Sequence, residues 1–334
     1  MKYRHLPGTE LDLSEVGFGV WTVSTDWWGR MEEIDRVTLL QKAFDLGVTF
    51  FDTADTYGKG YGEEILFKAL RAQRHEIVIG TKFGYDFYNY LERVGHEERE
   101  QRFDREFIRF ACEQSLRRLG TDYIDLYQLH NPKIDVIEQD EVFSTLEDLV
   151  REGKVRYYGV ALGPDIGWVQ EGTSSMCNRE IKSLGIIYNI LEQDPARRFF
   201  PIAKDKEIGL ISRAPHASGA LTSKHRQSPE SDGAIHASHR GDENFEGGTE
   251  KAAMVEFLSQ GTGRTVGQAA VKFCLSQECL VSVLPNIATS EELLEYSEAP
   301  DCPDISDEEQ QRLDELWQEG FYLSGAPMTP DKEP

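Results

Sequence analysis

Phe50-Phe51-Asp52-Thr53-Ala54-Asp55-Thr56-Tyr57-Gly58 is the stretch on which the reading of this chain turns. An apolar run from Val48 to Phe51 ends in an acid, and a tyrosine follows shortly after it. Two later stretches repeat the plan. Ile77 to Ile79 leads to Lys82 in Gly80-Thr81-Lys82-Phe83-Gly84, and Tyr123 to Leu129 leads to His130 in Gln128-Leu129-His130-Asn131-Pro132. Each strand-like run delivers one chemically active side chain at or just past its C-terminal end.

Outward from these three runs, the same rhythm continues. Further strand candidates are Val16 to Val20, Val155 to Ala161, Gly185 to Ile190, Gly209 to Ser212 and Leu280 to Leu284, which brings the total to eight. Amphipathic helices alternate with them. Val37, Leu40 and Phe44 mark one helical face stopped by Gly47; Ile108, Ala111, Cys112, Leu116 and Leu119 mark another, opened by Asp104 and stopped by Gly120. Val142, Phe143, Leu146, Leu149 and Val150 mark a third, closed by Gly153. Strand and helix in strict alternation predict right-handed βα units and a parallel sheet. With eight strands the expectation is an α/β fold, a (β/α)8 TIM barrel whose active site lies at the C-terminal ends of the strands.

The N-terminus predicts a β-hairpin, Lys2 to Leu6 and Glu10 to Leu13 about Pro7-Gly8-Thr9, plugging one end of the barrel, and a helix closes the fold at the C-terminus. No composition break divides residues 1–334, which read as one domain. Ser223 to Gly248 is polar and too long for an ordinary connector, so it is expected to be a loop or lid over the site. Residues from Leu323 onward read as a tail.

The 334 residues are 39% hydrophobic, enough for a large core, and the net charge of −23 opposes nucleic acid or an anionic membrane surface as partner. The acid is spread along the chain, as on a solvated surface. Five cysteines, Cys112, Cys177, Cys274, Cys279 and Cys302, form no CxxC pair, which indicates a reducing compartment and no structural zinc. Met1-Lys2-Tyr3-Arg4-His5-Leu6-Pro7 lacks the apolar core of a signal peptide, and no apolar stretch is long enough to span a membrane. The expected location is the cytoplasm. The sequence carries no signal for oligomeric state.

Reduction of a carbonyl requires a hydride at carbon and a proton at oxygen, and a tyrosine supplies the proton when a nearby cation favours its release. Tyr57 is the candidate acid, Lys82 the cation, Asp52 the anion that holds the ammonium, and His130 a donor to the carbonyl oxygen. Singly, each has an ordinary structural reading: a turn acid, a packed aromatic, a solvated lysine, a histidine opening a turn. Their shared placement is what favours chemistry. Trp21, Trp27, Trp28, Tyr85, Tyr88 and Asn131 follow strand ends and are candidates for the walls of a substrate pocket; core packing is the competing reading, above all for Trp21. His216, His236 and His239, with Asp232 and Asp242, lie in or near the long loop without a rigid element to fix a metal, so no metal is assigned.

Together these stretches resemble the aldo-keto reductase superfamily along nearly the whole chain. The motifs that carry the likeness are Gly17-Phe18-Gly19-Val20-Trp21, the run from Asp52 to Gly58, Ser115-Leu116-Arg117-Arg118-Leu119-Gly120-Thr121-Asp122-Tyr123-Ile124-Asp125-Leu126, and Gly219-Ala220-Leu221-Thr222. The resemblance implies a TIM barrel, a nicotinamide cofactor across its C-terminal face, and a catalytic tetrad of Asp52, Tyr57, Lys82 and His130. It further places Gly19, Trp21, Asp52, Tyr188, Ala214, Pro215, Pro285, Asn286, Thr289 and Glu292 along the cofactor, which is NAD or NADP.

The cofactor half departs from the family pattern. Ser-Asn after the fifth strand becomes Ala161-Leu162, a glutamine becomes Gly185, and Ser-Pro-Leu becomes Ala214-Pro215-His216. Ala288, Glu292 and Tyr296 stand where many members carry a basic residue, a glutamine and an asparagine. The lost cation and the added carboxylate favour NAD over NADP; equally, Thr289-Ser290-Glu291-Glu292 fits a capping box, with Glu292 serving only its helix.

The leading expectation is an oxidoreductase moving a hydride between the cofactor and a small carbonyl or alcohol, an aldehyde, ketone or sugar. A sugar dehydrogenase of the same superfamily, a non-redox acid-base enzyme, and a binding or regulatory protein on a degenerate cofactor site are the alternatives.

Overall fold

The parallel strands of this chain form one sheet that curls until its two edges meet. The computed structural model describes residues 1–25, 29–89, 99–163, 168–222 and 250–322. The lid expected at Ser223 to Gly248, the tail from Leu323, and Trp27, Trp28, His236, His239, Asp232 and Asp242 lie outside the described residues.

The chain opens with the antiparallel hairpin β1 (Tyr3–His5) and β2 (Asp12–Ser14), Tyr3 facing Ser14 and His5 facing Asp12. Eight parallel strands follow in sequential order: β3 (Phe18–Gly19), β4 (Phe50–Asp52), β5 (Val78–Phe83), β6 (Ile124–His130), β7 (Val155–Ala161), β8 (Ser183–Ile187), β9 (Gly209–Arg213) and β10 (Leu280–Leu284). A parallel bridge between Val16 and Val283 closes the ring; the Gly17 amide donates to Val283 O at 2.9 Å and the Val283 amide to Glu15 O at 2.8 Å. The expected (β/α)8 barrel is therefore present.

Several strand limits differ from expectation, β3 shortening to Phe18–Gly19, and at β5 and β8 the difference has a local reason. β5 runs on from the apolar residues through Thr81, Lys82 and Phe83, because β6 pairs with all of them and the two polar side chains find buried partners. β8 starts earlier, at Ser183, and stops at Ile187. Beyond it the Asn189 side chain accepts from the amides of Leu191 and Glu192, both at 2.9 Å, which turns the chain away from the sheet.

Strand residues two apart face the same side. Phe50, Val78, Leu126 and Ile211 point inward and join Leu6, Leu11 and Leu13 of the hairpin segment in one buried apolar cluster. Leu6 reaches so far in that a methyl group on Gly209 would overlap its side chain. The hairpin is thus the floor of the barrel. The next positions in the same phase are Asp52, Lys82, Gln128, His130 and Arg213, so apolar filling gives way to polar chemistry on moving toward the C-terminal ends.

Outside the barrel the second helical stripe buries as its spacing predicts, whereas in helix Glu33–Asp45 the buried face is Arg36, Leu39, Leu40 and Ala43, with Val37 and Phe44 only half-buried at its edge. Helix Arg105–Leu119 buries Ile108, Ala111, Cys112, Leu116 and Leu119; the Asp104 carboxylate accepts from the Phe107 amide at 3.0 Å to start it, and Gly120 at φ 59° ends it. Gly120 is doubly constrained, since a methyl there would also run into the Phe67 ring. Helices Glu33–Asp45 and Asp140–Arg151 cover the neighbouring strands, and helix Asp307–Gln318, started by a Ser306/Glu309 capping box, is the expected C-terminal helix.

Candidate active site

The acid of the opening motif ends β4, and it is buried, 5% exposed. A buried carboxylate needs a partner. Lys82, 1% exposed on the neighbouring strand β5, donates from Nζ to Asp52 Oδ1 and also to Thr53 O at 2.7 Å. Gln128 of β6 donates from Nε2 to the other oxygen, Asp52 Oδ2, at 3.0 Å. The lysine is therefore a buried ammonium in an ion pair, unlike the solvated lysine its residue type suggests.

Tyr57 opens a tight turn, Tyr57–Gly60, in which Gly58, Lys59 and Gly60 all take positive φ. Gly58 has no room for a side chain because Ser24 O lies against it. This turn sets the phenol ring, half-buried, above the ion pair, with Lys82 Nζ 5.2 Å from its centroid. His130 ends β6 and meets the Tyr57 ring edge-on at 5.8 Å, and Trp21, at the start of the turn Trp21–Ser24 after β3, tilts against it at 6.4 Å. Asp52, Tyr57, Lys82 and His130 thus converge from three consecutive strand ends.

Burial, then the positive charges of Lys82 and Arg213, hold the His130 imidazole well below the usual histidine range. It is a neutral ring. The substrate-side candidates also gather here: Tyr85 packs edge-on against His130 at 5.0 Å, and Asn131 Nδ2 donates to the Tyr85 hydroxyl at 2.8 Å. Gln101 Nε2 donates to His130 O at 2.9 Å and to Asn131 O at 3.2 Å, pinning the turn that follows β6. Tyr88 does not join them. Its ring lies among Phe87, Phe107 and Phe110, and its hydroxyl accepts from Arg118.

The cofactor-side candidates divide. Gly19, Trp21, Pro285 and Asn286 lie at the ends of β3 and β10, beside the tetrad's rim. Ala214 and Pro215 follow β9, with Ala214 at φ 53°, and the loop continues through Ala217, Ser218 and Gly219 at positive φ. Tyr188 is a correction: beyond the end of β8 its ring, 1% exposed, stacks on Phe273 and meets Phe200 edge-on, so it fills the shell between barrel and helices. Thr289 and Glu292 form the capping box of helix Ser290–Ser297, with Glu292 Oε2 accepting from the amides of Ala288 at 2.9 Å and Thr289 at 3.1 Å.

Where the resemblance leads one to expect Ser-Asn after β7, Arg213 reaches across from β9 and donates to Leu162 O, and to Gly163 O at 3.3 Å. Ala161 and Gly185 are the small residues on the strand ends between. Trp21 Nε1, His130 Nδ1, Asn131 Oδ1 and Asn286 Oδ1 are buried polar atoms with no hydrogen-bond partner among the described residues. Such atoms are ordinarily satisfied. Their position around the C-terminal rim fits a polar ligand laid across it, as a dinucleotide would be. No group of three or more His, Cys, Asp and Glu side chains among the described residues is placed to hold a metal ion.

A family model described as "Aldo/keto reductase family" matches residues 15–318. The chain belongs to this family. Among curated relatives of this aldo/keto reductase, "Uncharacterized oxidoreductase YqkF" of Bacillus subtilis is 29% identical over 96% of this chain and 98% of its own. "Aldo-keto reductase YhdN" of the same organism is 30% identical over 67% of this chain and 65% of its own. Among solved structures, the holo form of aldo-keto reductase AKR11C1 from Bacillus halodurans is 28% identical, with a TM-score of 0.76 over 95% of this chain and 96% of that one. The glycerol dehydrogenase AKR11B4 from Gluconobacter oxydans, 24% identical, shares the fold with a TM-score of 0.80 over 98% of both chains. This aldo/keto reductase is an oxidoreductase, and the family acts on small molecules, generally with NAD(P)H. Among the described residues no helix is long and apolar enough to cross a membrane.

Gln128 escaped the sequence reading. The signal that could have found it is its phase: it lies two residues before His130 and two after Leu126, so it faces the interior as a polar residue where an apolar one would be ordinary.

Proposed function

We propose that the protein transfers a hydride between a nicotinamide cofactor and a small aldehyde, ketone or sugar-like substrate, with Tyr57 as the proton donor in reduction. The observation that carries this reading is the buried Asp52–Lys82 ion pair directly beneath the Tyr57 ring. When bound, the cofactor supplies the hydride. Tyr57 gives its hydroxyl proton to the carbonyl oxygen, and the Lys82 ammonium stabilises the phenolate left behind. Neutral His130 donates a ring N–H to the same oxygen and orients it, without competing for the proton. In oxidation the phenolate takes the proton back.

NAD is favoured over NADP. Ala288 offers no cation to a 2′-phosphate, and the Glu292 carboxylate, held in place by its capping box, repels one. The replacement of the family's Ser-Asn by Ala161-Leu162 supports one second reading, a binding protein on the same scaffold.

Fluorescence titration with NADH and NADPH at matched salt, followed by turnover of Tyr57→Phe, separates the two. Tight dinucleotide binding with loss of turnover in Tyr57→Phe is expected; binding of neither cofactor favours the binding-protein reading, and full turnover in Tyr57→Phe sinks the tetrad.

A further inference from the structure

Asp52 and Gln128 are separated by a whole strand. On β4, Asp52 stands opposite Gly80 of β5; on β6, Gln128 stands opposite Lys82 of the same β5. The two polar side chains meet because Gly80 has none. A methyl group there would stand 3.3 Å from both Asp52 Oδ2 and Gln128 Nε2, and 3.2 Å from the Phe50 ring. Through that gap the amide donates to Oδ2 while Lys82 takes Oδ1.

Gln128 is 1% exposed, so its amide group cannot rely on solvent. A carboxylate taken out of water is stabilised only when both oxygens are answered. The chemical type of the donor matters. An amide answers Oδ2 without adding charge, which leaves the whole negative charge of Asp52 to Lys82; a second ammonium would compete for it, and a carboxylate would repel it. Hydrogen bonds to both oxygens also fix the carboxylate plane, and with it the direction in which Lys82 Nζ is held beneath Tyr57.

We propose that Gln128 is a positioning residue of the proton-transfer set, acting through Asp52 on Lys82 and so on Tyr57. This rests on the hydride-transfer reading above. It places a fifth member in the site, one that touches neither substrate nor cofactor.

Two variants of the full chain test it. Gln128→Leu leaves Oδ2 unanswered and is expected to lower kcat about tenfold or more while KM and NADH affinity stay unchanged. Gln128→Glu places a second carboxyl against Asp52. At pH 5 the shared proton lets it donate as the amide does, and as pH rises the ionised pair repels. Its melting temperature should therefore match the wild type at pH 5 and fall progressively below it toward pH 9, a readout that needs no turnover. Wild-type kcat in Gln128→Leu, or a Gln128→Glu melting offset that does not change with pH, overturns the inference. Absence of turnover in the wild type with any carbonyl overturns instead the hydride-transfer reading, while the melting series still decides whether the amide holds Asp52.

Discussion

The Tyr57 and His130 rings meet edge to face, 5.8 Å between centroids at an interplanar angle of 84°. Two potential donors from different strand ends therefore flank one point. Loss of the hydroxyl alone tests which of them gives up a proton. Tyr57→Phe keeps the ring contacts with His130 and Trp21, and is expected to lower kcat for carbonyl reduction by about 10²- to 10⁴-fold, with dinucleotide affinity unchanged by fluorescence.

His130 stays neutral across the physiological range, because burial and the charges of Lys82 and Arg213 disfavour its imidazolium. The pH profile of kcat between pH 6 and 8 should accordingly show no inflection that His130→Gln removes. The variant is expected to lower the profile without changing its shape; disappearance of a limb near neutrality in the variant would show that the ring titrates.

His216 lies buried beside Tyr296, ring centroids 4.3 Å apart, with Nε2 toward Gly267 O at 3.1 Å. Burial pushes its pKa down from 6.5 to about 4. A depressed histidine contributes stability that is complete above pH 6.5 and is lost as pH falls toward about 4, here about 3 kcal/mol in all. Urea denaturation at pH 7 and pH 4.5 should show a smaller loss in His216→Phe than in the wild type.

Asp55 is wholly buried, with the Glu63 carboxylate nearby and no cationic side chain hydrogen-bonded to it among the described residues. Burial, then the Glu63 charge, raises its pKa well above the carboxylate range. The folded protein thus keeps a proton that the unfolded chain releases above pH 3.8, and stability falls as pH rises through that window. Asp55→Asn abolishes the titration. Its stability relative to wild type should climb by about 1 kcal/mol per pH unit in the window, read as urea midpoints at pH 5 and pH 8.

Glu292 caps its helix, and on the proposed reading its carboxylate would also repel a 2′-phosphate. Gln at this position can still reach back to the Ala288 and Thr289 amides. Glu292→Gln is therefore expected to retain the melting temperature and to improve NADPH binding relative to NADH, measured as the ratio of the two Kd values; an unchanged ratio would mean that Glu292 has no part in cofactor choice.

The barrel was legible because strand-ending chemistry and helix-stopping glycines recur with a regular beat, and Asp104, Gly120 and Gly153 act as their residue types suggest. Contacts between distant strands were less so. Lys82 reads as a surface residue until Asp52 is placed beside it, and the Gln128–Asp52 hydrogen bond depends on an empty Gly80 that no local pattern announces. Tyr188 reads as a rim residue by its motif, but it keeps the phase of Ile186, which faces the helices, and its ring therefore stacks on Phe273.

The hairpin floor has one more consequence. With Leu6, Leu11 and Leu13 packed against Phe50, Val78, Leu126 and Ile211, apolar side chains stop the lower barrel, and the polar residues Asp52, Lys82 and His130 stand toward the opposite mouth. The chemistry proposed above would then be served from that mouth, so a ligand lodged there would hinder arrival and release alike.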